Sequence, residues 1–516
     1  MKTHSLLKGT FILATAGLVA KFLGIFFRWP LIMLIGDEGI GYYQMSYPLY
    51  TFFIAVASGI PVAISKLISE RRAVQDMEGI IQVFRKSILV MFIIGGGFTA
   101  FLLIFSKRLV NIFGWEAKSY YSLLGIALAP MFISLMSAFR GFFQGLQYMT
   151  PTAWSQLIEQ AGRVVFGVGL AILLLPKGIE YSAGGAAFGA TAGGIFGTIY
   201  LFYKYTKVKK ELKIRKVRSN LEVLNKLLLT AIPISVGATV ISIMSLIDSF
   251  LVPRKLLEAG LSGKEATILY GQLTGKAFVL VNVPLTVSMG LCLSLVPIIT
   301  ECFILNRRGE LINKIETAMK FSMVVAIPSF LGLFVLAEPI LSLVFPGHSD
   351  GYPILRYLSI SIPFIVIFQT STSILQGVDK YITPVRNLMV GCIIKFIITF
   401  MLVPISHINI YGAIIGTTVG YIISSIMNVR TLEKSLGIKI NYYDIIIKPA
   451  YASVLMTIAV IFIYEKSFNL FLSNGLACII SIFSGLLIYS ILVIIFKIMN
   501  YKYVRERLRG DKRREL

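Results

Sequence analysis

Long apolar stretches follow one another from residue 9 to residue 495, and that repetition leaves the chain only one solvent. At 56% hydrophobic residues, 14% charged residues and a mean hydropathy of +0.80, there is too little polar surface to cover soluble domains of this length. A hydrocarbon core of about 30 Å is crossed by roughly 20 apolar residues in a helix, whose internal hydrogen bonds satisfy the backbone where no water reaches it. The runs therefore predict an all-α polytopic membrane protein. Spans are expected near 9–35, 41–68, 87–105, 120–143, 151–175, 183–202 and 224–252, then near 277–303, 317–345, 357–375, 384–403, 411–429, 449–464 and 476–495, about fourteen in all. The first run is too long for a signal-peptide core and has no convincing cleavage site, so it is kept as helix one.

The formal net charge of +24 would suggest nucleic acid if it were spread evenly, but it is concentrated between spans. Residues 204–218 hold eight basic residues against one acidic, and the segment after Ile495 adds eight more. Glu70-Arg71-Arg72, Arg85-Lys86 and Arg307-Arg308 fall on the same side if both termini are cytoplasmic, as the positive-inside rule prefers. Lys107-Arg108 and Arg254-Lys255 fall on the opposite side and are exceptions. The expectation is a multi-pass cell-membrane protein that contacts membrane lipids and no nucleic acid. Cys292, Cys302, Cys392 and Cys478 lie singly in apolar stretches, and His4, His348 and His407 are scattered. No metal site, cofactor or enzyme activity is expected from them.

The chain also resembles itself. Gln144-Gly145-Leu146-Gln147-Tyr148-Met149-Thr150-Pro151 recurs as Gln376-Gly377-Val378-Asp379-Lys380-Tyr381-Ile382-Thr383-Pro384, an offset of about 232 with one inserted residue. Tyr42-Tyr43-Gln44-Met45 similarly matches Tyr270-Gly271-Gln272-Leu273, and Gly185, Gly189 and Gly193 match Gly412, Gly416 and Gly420. Six helices is an even number, so the copies share one orientation as parallel repeats. This predicts two six-helix lobes, 1–203 and 223–432, around a central cleft. A basic linker at 204–222, two extra helices at 433–498 and a basic tail at 499–516 complete the chain. Glycines four residues apart allow close helix approach.

An ionisable side chain inside a span is costly unless it meets water or a partner, which makes each one a candidate for function. Lys21 and Arg28 are seven residues apart on one face of helix one, with Gly24 between them. Arg140 lies near the cytoplasmic end of helix four, where snorkelling competes with a functional role. Glu159 and Arg163 are four apart, so an intrahelical ion pair competes with a substrate contact. Lys395 stands at nearly the repeat equivalent of Arg163. Lys276 and Asp248 are placed to flank the outward mouth. Asp248 and Glu159 are the candidates for ion coupling, and for Asp248 a salt bridge to a lysine is the alternative. Because the set is mainly basic, an anionic substrate is favoured, gripped by guanidinium forks and lysine point charges.

Phe27-Arg28-Trp29-Pro30-Leu31, the segment from Leu34 to Tyr50 that contains Gly36-Asp37-Glu38-Gly39 and Tyr42-Tyr43-Gln44-Met45, and Gly59-Ile60-Pro61-Val62-Ala63-Ile64-Ser65 resemble the stage V sporulation protein B family. That family belongs to the polysaccharide-transport branch of the multidrug, oligosaccharidyl-lipid and polysaccharide flippase superfamily, which includes the lipid II flippases. The resemblance covers essentially the whole chain. It implies fourteen helices split six, six and two, and alternating access that carries a polyprenyl-pyrophosphate-linked saccharide, notably a peptidoglycan precursor for spore cortex. Membrane potential, sodium or protons would drive it, with cell-wall synthesis proteins as partners. Arg28 fits the family's basic position in helix one, and Lys276 one in helix eight. Export of another lipid-linked polysaccharide unit and cation-coupled multidrug extrusion are the alternatives.

Overall fold

The structure, a computed structural model, describes residues 6–211 and 222–498. Residues 212–221 of the expected linker and the whole 499–516 tail lie outside the described residues. Among the described residues, twelve helices are long and apolar enough to cross a membrane, or thirteen if one bent pair counts as a span. The chain is an all-α multi-pass membrane protein, and the expected fourteen spans are an approximate count. One reason is that 26–73 forms a single apolar helical run although the backbone breaks inside it at Gly36, with φ 61°. That left-handed conformation is open to glycine without steric cost.

The chain packs as two compact units, Met1–Gly275 with Val403–Ile410, and Lys276–Leu402 with Tyr411–Leu516. This division differs from the repeat boundary expected at 204–222, because compactness and internal repetition partition the chain by different criteria.

The first unit contains α1 (Leu6–Ala57), α2 (Gly59–Ala73), α3 (Met77–Phe113), α4 (Tyr120–Ile126), α5 (Ala129–Gly145), α6 (Met149–Leu174), α7 (Ile179–Glu211), α8 (Glu222–Glu258) and α9 (Gly263–Gly271). The α2–α3 turn is fixed by Asp76, which accepts the Gly79 N–H at 2.8 Å and pairs with Arg71 at 2.9 Å. Its carboxylate thus satisfies a helix-start donor that has no intrahelical partner. Gly114, at φ 64°, ends α3. The span expected at 120–143 falls within one candidate span, Ala117–Gly145, built of two helices because Pro130 at the start of α5 has no N–H to continue the ladder from α4.

The second unit contains α10 (Phe278–Ile304), α11 (Arg308–Val335), α12 (Ala337–Val344), α13 (Tyr352–Ser359), α14 (Ile362–Gly377), α15 (Ile382–Leu402), α16 (Ile410–Leu436), α17 (Lys448–Phe471) and α18 (Asn474–Ile495). Here α13 and α14 bend by 44° at a break followed by Pro363. Leu336, Ala452, Met456, Val460, Tyr489 and Val493 form a core cluster that packs α17 and α18 beside the α11–α12 junction.

The glycine repeats are packing surfaces. A Cβ on Gly189 would lie 2.7 Å from the Arg163 carbonyl, and one on Gly193 would strike the Glu159 carbonyl, so α7 lies almost backbone to backbone on α6. In the second unit a Cβ on Gly416 would lie 3.1 Å from the Lys395 carbonyl, and one on Gly420 would lie 2.9 Å from the Gly391 carbonyl. Gly97, in α3, faces open space. Gly193→Ala is therefore expected to destabilise the protein by about 1–3 kcal/mol through overpacking, while Gly97→Ala leaves it unchanged or slightly more stable. Thermal unfolding in detergent checks this, and equal behaviour of the two variants would refute the close α6–α7 contact.

Candidate functional site

The α5–α6 interface in the first unit holds a branched ion network. Arg140 on α5 donates from Nη2 to Glu159 Oε2 at 2.9 Å and from Nε to Ser155 Oγ at 2.8 Å. The other Glu159 oxygen lies 3.6 Å from Arg163 Nη2, one helical turn along α6. Arg163 also donates to the Tyr50 hydroxyl of α1 at 3.3 Å. Glu159 and Arg163 are each 9% exposed. Two guanidinium groups share one carboxylate, so the cluster keeps net positive charge in a setting where an unpaired ion would be expensive. Arg140 reaches across to α6 within this network. Gln156 and Gln160 lie on the same stretch of α6, and their buried Oε1 atoms have no hydrogen-bond partner. Gly17 and Gly24 of α1 pack against those two oxygens, each at 3.8 Å from an added Cβ.

Packing fixes the repeat register that the sequence left approximate. The carbonyls of Arg163 and Lys395, 232 residues apart, each meet the glycine of the following helix, Gly189 and Gly416. In this register Glu159 corresponds to Gly391, Ser155 to Asn387 and Arg140 to Thr372. The polar chemistry at the matching helix junction has changed completely. Asn387 Nδ2 donates to Asn428 Oδ1 at 2.8 Å, and Asn428 Nδ2 donates to Thr372 Oγ1 at 3.0 Å. A charged cluster in one unit thus stands where a neutral amide chain stands in the other. Lys395 is 1% exposed, and the residue one turn before it is glycine rather than an acid.

Arg28 is positioned by a close crossing of α1 and α9. A Cβ on Gly271 would lie 3.1 Å from the Gly41 Cα, and the two backbones meet there. Directly after α9 the chain forms a π-helical turn, Gln272–Ala277, whose one extra residue shifts carbonyls out of the α-helical ladder. The Thr274 carbonyl accepts from Gln44 Nε2 at 2.7 Å and from Arg28 Nη1 at 3.3 Å. Gln272 Nε2, the repeat counterpart of Gln44, donates in turn to Asp37 Oδ2 at 2.9 Å. The two matching glutamines therefore reach across the crossing in opposite senses.

The remaining sequence candidates have varied settings. Lys276 is fully buried in the second unit, where its ammonium donates to the His348 carbonyl at 2.7 Å and the Asp350 carbonyl at 3.3 Å. Gly347 and Gly351, both at positive φ, turn the backbone of that loop. Asp248 on α8 is 3% exposed. The side chain of Lys21 lies outside the described residues. The sequence reading missed the aromatic stripe of α1, in which Tyr43 stacks on Tyr47 at 5.7 Å and Tyr47 lies 5.5 Å from Tyr50. Its spacing of four and then three was the available signal. It also missed Gln156 and Gln160, whose spacing of four repeats that of the ion pair beside them.

Arg140→Ala removes both the ion pair and the Ser155 bond, and is expected to lower unfolding stability by about 2–4 kcal/mol because Glu159 loses its shorter partner in a buried site. Thr372→Ala removes one neutral acceptor at the equivalent place and should cost about 1 kcal/mol. Denaturant unfolding in detergent measures both. Similar losses would mean that the charged junction carries no special weight.

Comparisons with known proteins fit this architecture. Residues 6–303 match the family described as polysaccharide biosynthesis protein. The chain is 28% identical over 520 residues to stage V sporulation protein B of Bacillus subtilis (strain 168), covering 98% of each chain. It is 28% identical over 472 residues to the lipid II flippase MurJ of the same organism, covering 86% of this chain and 85% of the flippase. Among solved structures, the fold is similar to a lipid II flippase MurJ in an inward closed conformation, with a TM-score of 0.71 at 17% identity over 94% of this chain and 98% of that one. It is also similar to an inward-facing multidrug resistance MATE family transporter of the MOP superfamily, with a TM-score of 0.70 at 15% identity over 81% of this chain and 95% of that one. Since the family match runs over more than half of its length, the chain belongs to the polysaccharide biosynthesis protein family.

Proposed function

We propose that this protein is a flippase that moves a polyprenyl-pyrophosphate-linked saccharide from the cytoplasmic to the outer leaflet by alternating access. The cargo is a peptidoglycan precursor such as lipid II, and the likeness to stage V sporulation protein B points to spore cortex synthesis alongside cell-wall synthesis proteins. Both termini are cytoplasmic in this reading. The observation that carries it is the basic excess inside apolar helices. Arg28, Arg140, Arg163, Lys276 and Lys395 stand in membrane-spanning segments where Glu159 is the shared acid of the α5–α6 cluster. A pyrophosphate crossing hydrocarbon needs cationic partners, and a protein that extrudes cations needs the reverse.

Arg28 is the leading headgroup contact. Its partner, the Thr274 carbonyl, is neutral and lies at 3.3 Å. A phosphate oxygen would form a shorter, charge-assisted and bidentate contact, so the anion can displace the carbonyl. Lys21, Arg140, Arg163, Lys276 and Lys395 are further substrate contacts in this proposal. Asp248 and Glu159 are the groups for coupling to sodium or protons, with membrane potential as the other driving force.

Arg28→Ala in proteoliposomes should slow translocation of the lipid II headgroup at least tenfold, since loss of one partly buried charged contact costs about 2 kcal/mol. Headgroup accessibility at the vesicle surface reads this out, with protein-free vesicles as baseline. If the wild type moves no lipid II under an imposed potential or sodium gradient, lipid II is not the cargo, and other polyprenyl-linked saccharides are tested next.

A further inference from the structure

Lys107 and Arg108 run against the charge rule for loops, and the fold gives Lys107 a setting of its own. In the first unit the end of α3, the helical turn Ala117–Ser119, the start of α4 and the start of α7 border an open pocket of about 430 Å³. It lies at the far end of α3 from the Arg71–Asp76 turn, on the outer side if the termini are cytoplasmic. Lys107, Asn111, Lys118, Tyr120, Tyr121 and Glu180 line it. Lys107 Nζ lies 5.7 Å from the centre of the Tyr120 ring, and Lys118 Nζ lies 3.9 Å from Glu180 Oε2. Tyr121 is braced by Tyr181, with ring centres 4.3 Å apart and hydroxyls 3.2 Å apart. The network described above uses none of these groups.

The pocket offers aromatic rings, an amide and three ionic groups that sum to one positive charge. Its volume suits a small ligand. Tyrosine presents a flat apolar face with a polar tip, which matches the alternation of C–H faces and hydroxyls on a pyranose ring. The long Lys118–Glu180 contact between partly exposed groups is worth little, so an incoming anion can take Lys118 cheaply. A monoanion balances the residual charge, whereas a dianionic phosphate would be repelled by Glu180. We infer that this pocket binds a saccharide bearing a single carboxylate, with Lys107 and Lys118 holding the carboxylate and Tyr120 and Tyr121 the ring. This binding chemistry does not rest on the flippase reading.

The test is binding to the full-length protein in detergent, followed by saturation-transfer NMR, with three probes: N-acetylmuramic acid, N-acetylglucosamine and acetate. The first should bind at least tenfold more tightly than either of the others, because only it carries both ring and carboxylate. The variant with Lys107→Gln and Lys118→Gln should bring it down to the N-acetylglucosamine level, and Tyr121→Ala should weaken both sugars. Equal binding of the three probes to the wild type, no saturable binding, or an unchanged affinity in the lysine variant would each overturn the inference. The probes require no translocation, so the two readings fail separately. Lysine-dependent binding without lipid II movement sinks the cargo, and movement without binding sinks the pocket.

Discussion

Hydrocarbon offers a guanidinium no hydrogen bond, so each arginine within a span must find its partners on neighbouring helices. The α5–α6 junction is built around that constraint. Glu159 meets Arg140 from one side and Arg163 from its own helix, and Ser155 and Tyr50 take further donors. The arrangement depends on α7 lying so close to α6 that Gly189 and Gly193 rest on the carbonyls of Arg163 and Glu159. A larger residue there would push α7 off the very turn that carries the ions. Packing and electrostatics are therefore one device, with the glycines of α7 against α6 and the ions of α6 beside them.

The same backbone device recurs in the second unit with different chemistry. Gly416 and Gly420 lie on α15 as Gly189 and Gly193 lie on α6, yet the acid has become Gly391 and the arginine of α5 has become Thr372. The contact that positions the helices is alike in the two units, where a side chain would clash, whereas the polar layer beside it differs. The outcome is an ionic junction in one unit and an Asn387–Asn428–Thr372 chain in the other.

Arg28 depends on a different irregularity. The Thr274 carbonyl lies within the π-helical turn and accepts from both Gln44 and Arg28. The turn follows directly on the Gly41–Gly271 crossing, where the two chains approach too closely for side chains. A neutral carbonyl holds the guanidinium in place without neutralising it.

The apolar runs, the loop charges and the repeat were legible in the sequence because each is a one-dimensional pattern: length against bilayer thickness, lysine and arginine against span ends, and self-similarity at an offset. Arg28, Glu159, Arg163 and Lys395 stood out for the same reason, as charges inside those runs. The Glu159–Arg163 pair was visible as a spacing of four. The breaks before Pro130 and Pro363 were not placed, since proline marks where a helix can start without saying whether a span continues past it. That Glu159 also holds Arg140, that Thr274 receives Arg28 and that Lys276 caps the His348 and Asp350 carbonyls were beyond the sequence, because these partners lie tens to hundreds of residues apart. The sequence by itself determined that the chain lives in lipid and carries buried positive charge. Tertiary structure alone decided which groups hold that charge, because a hydrogen bond depends on distance and direction between helices, and neither is written along a single strand of residues.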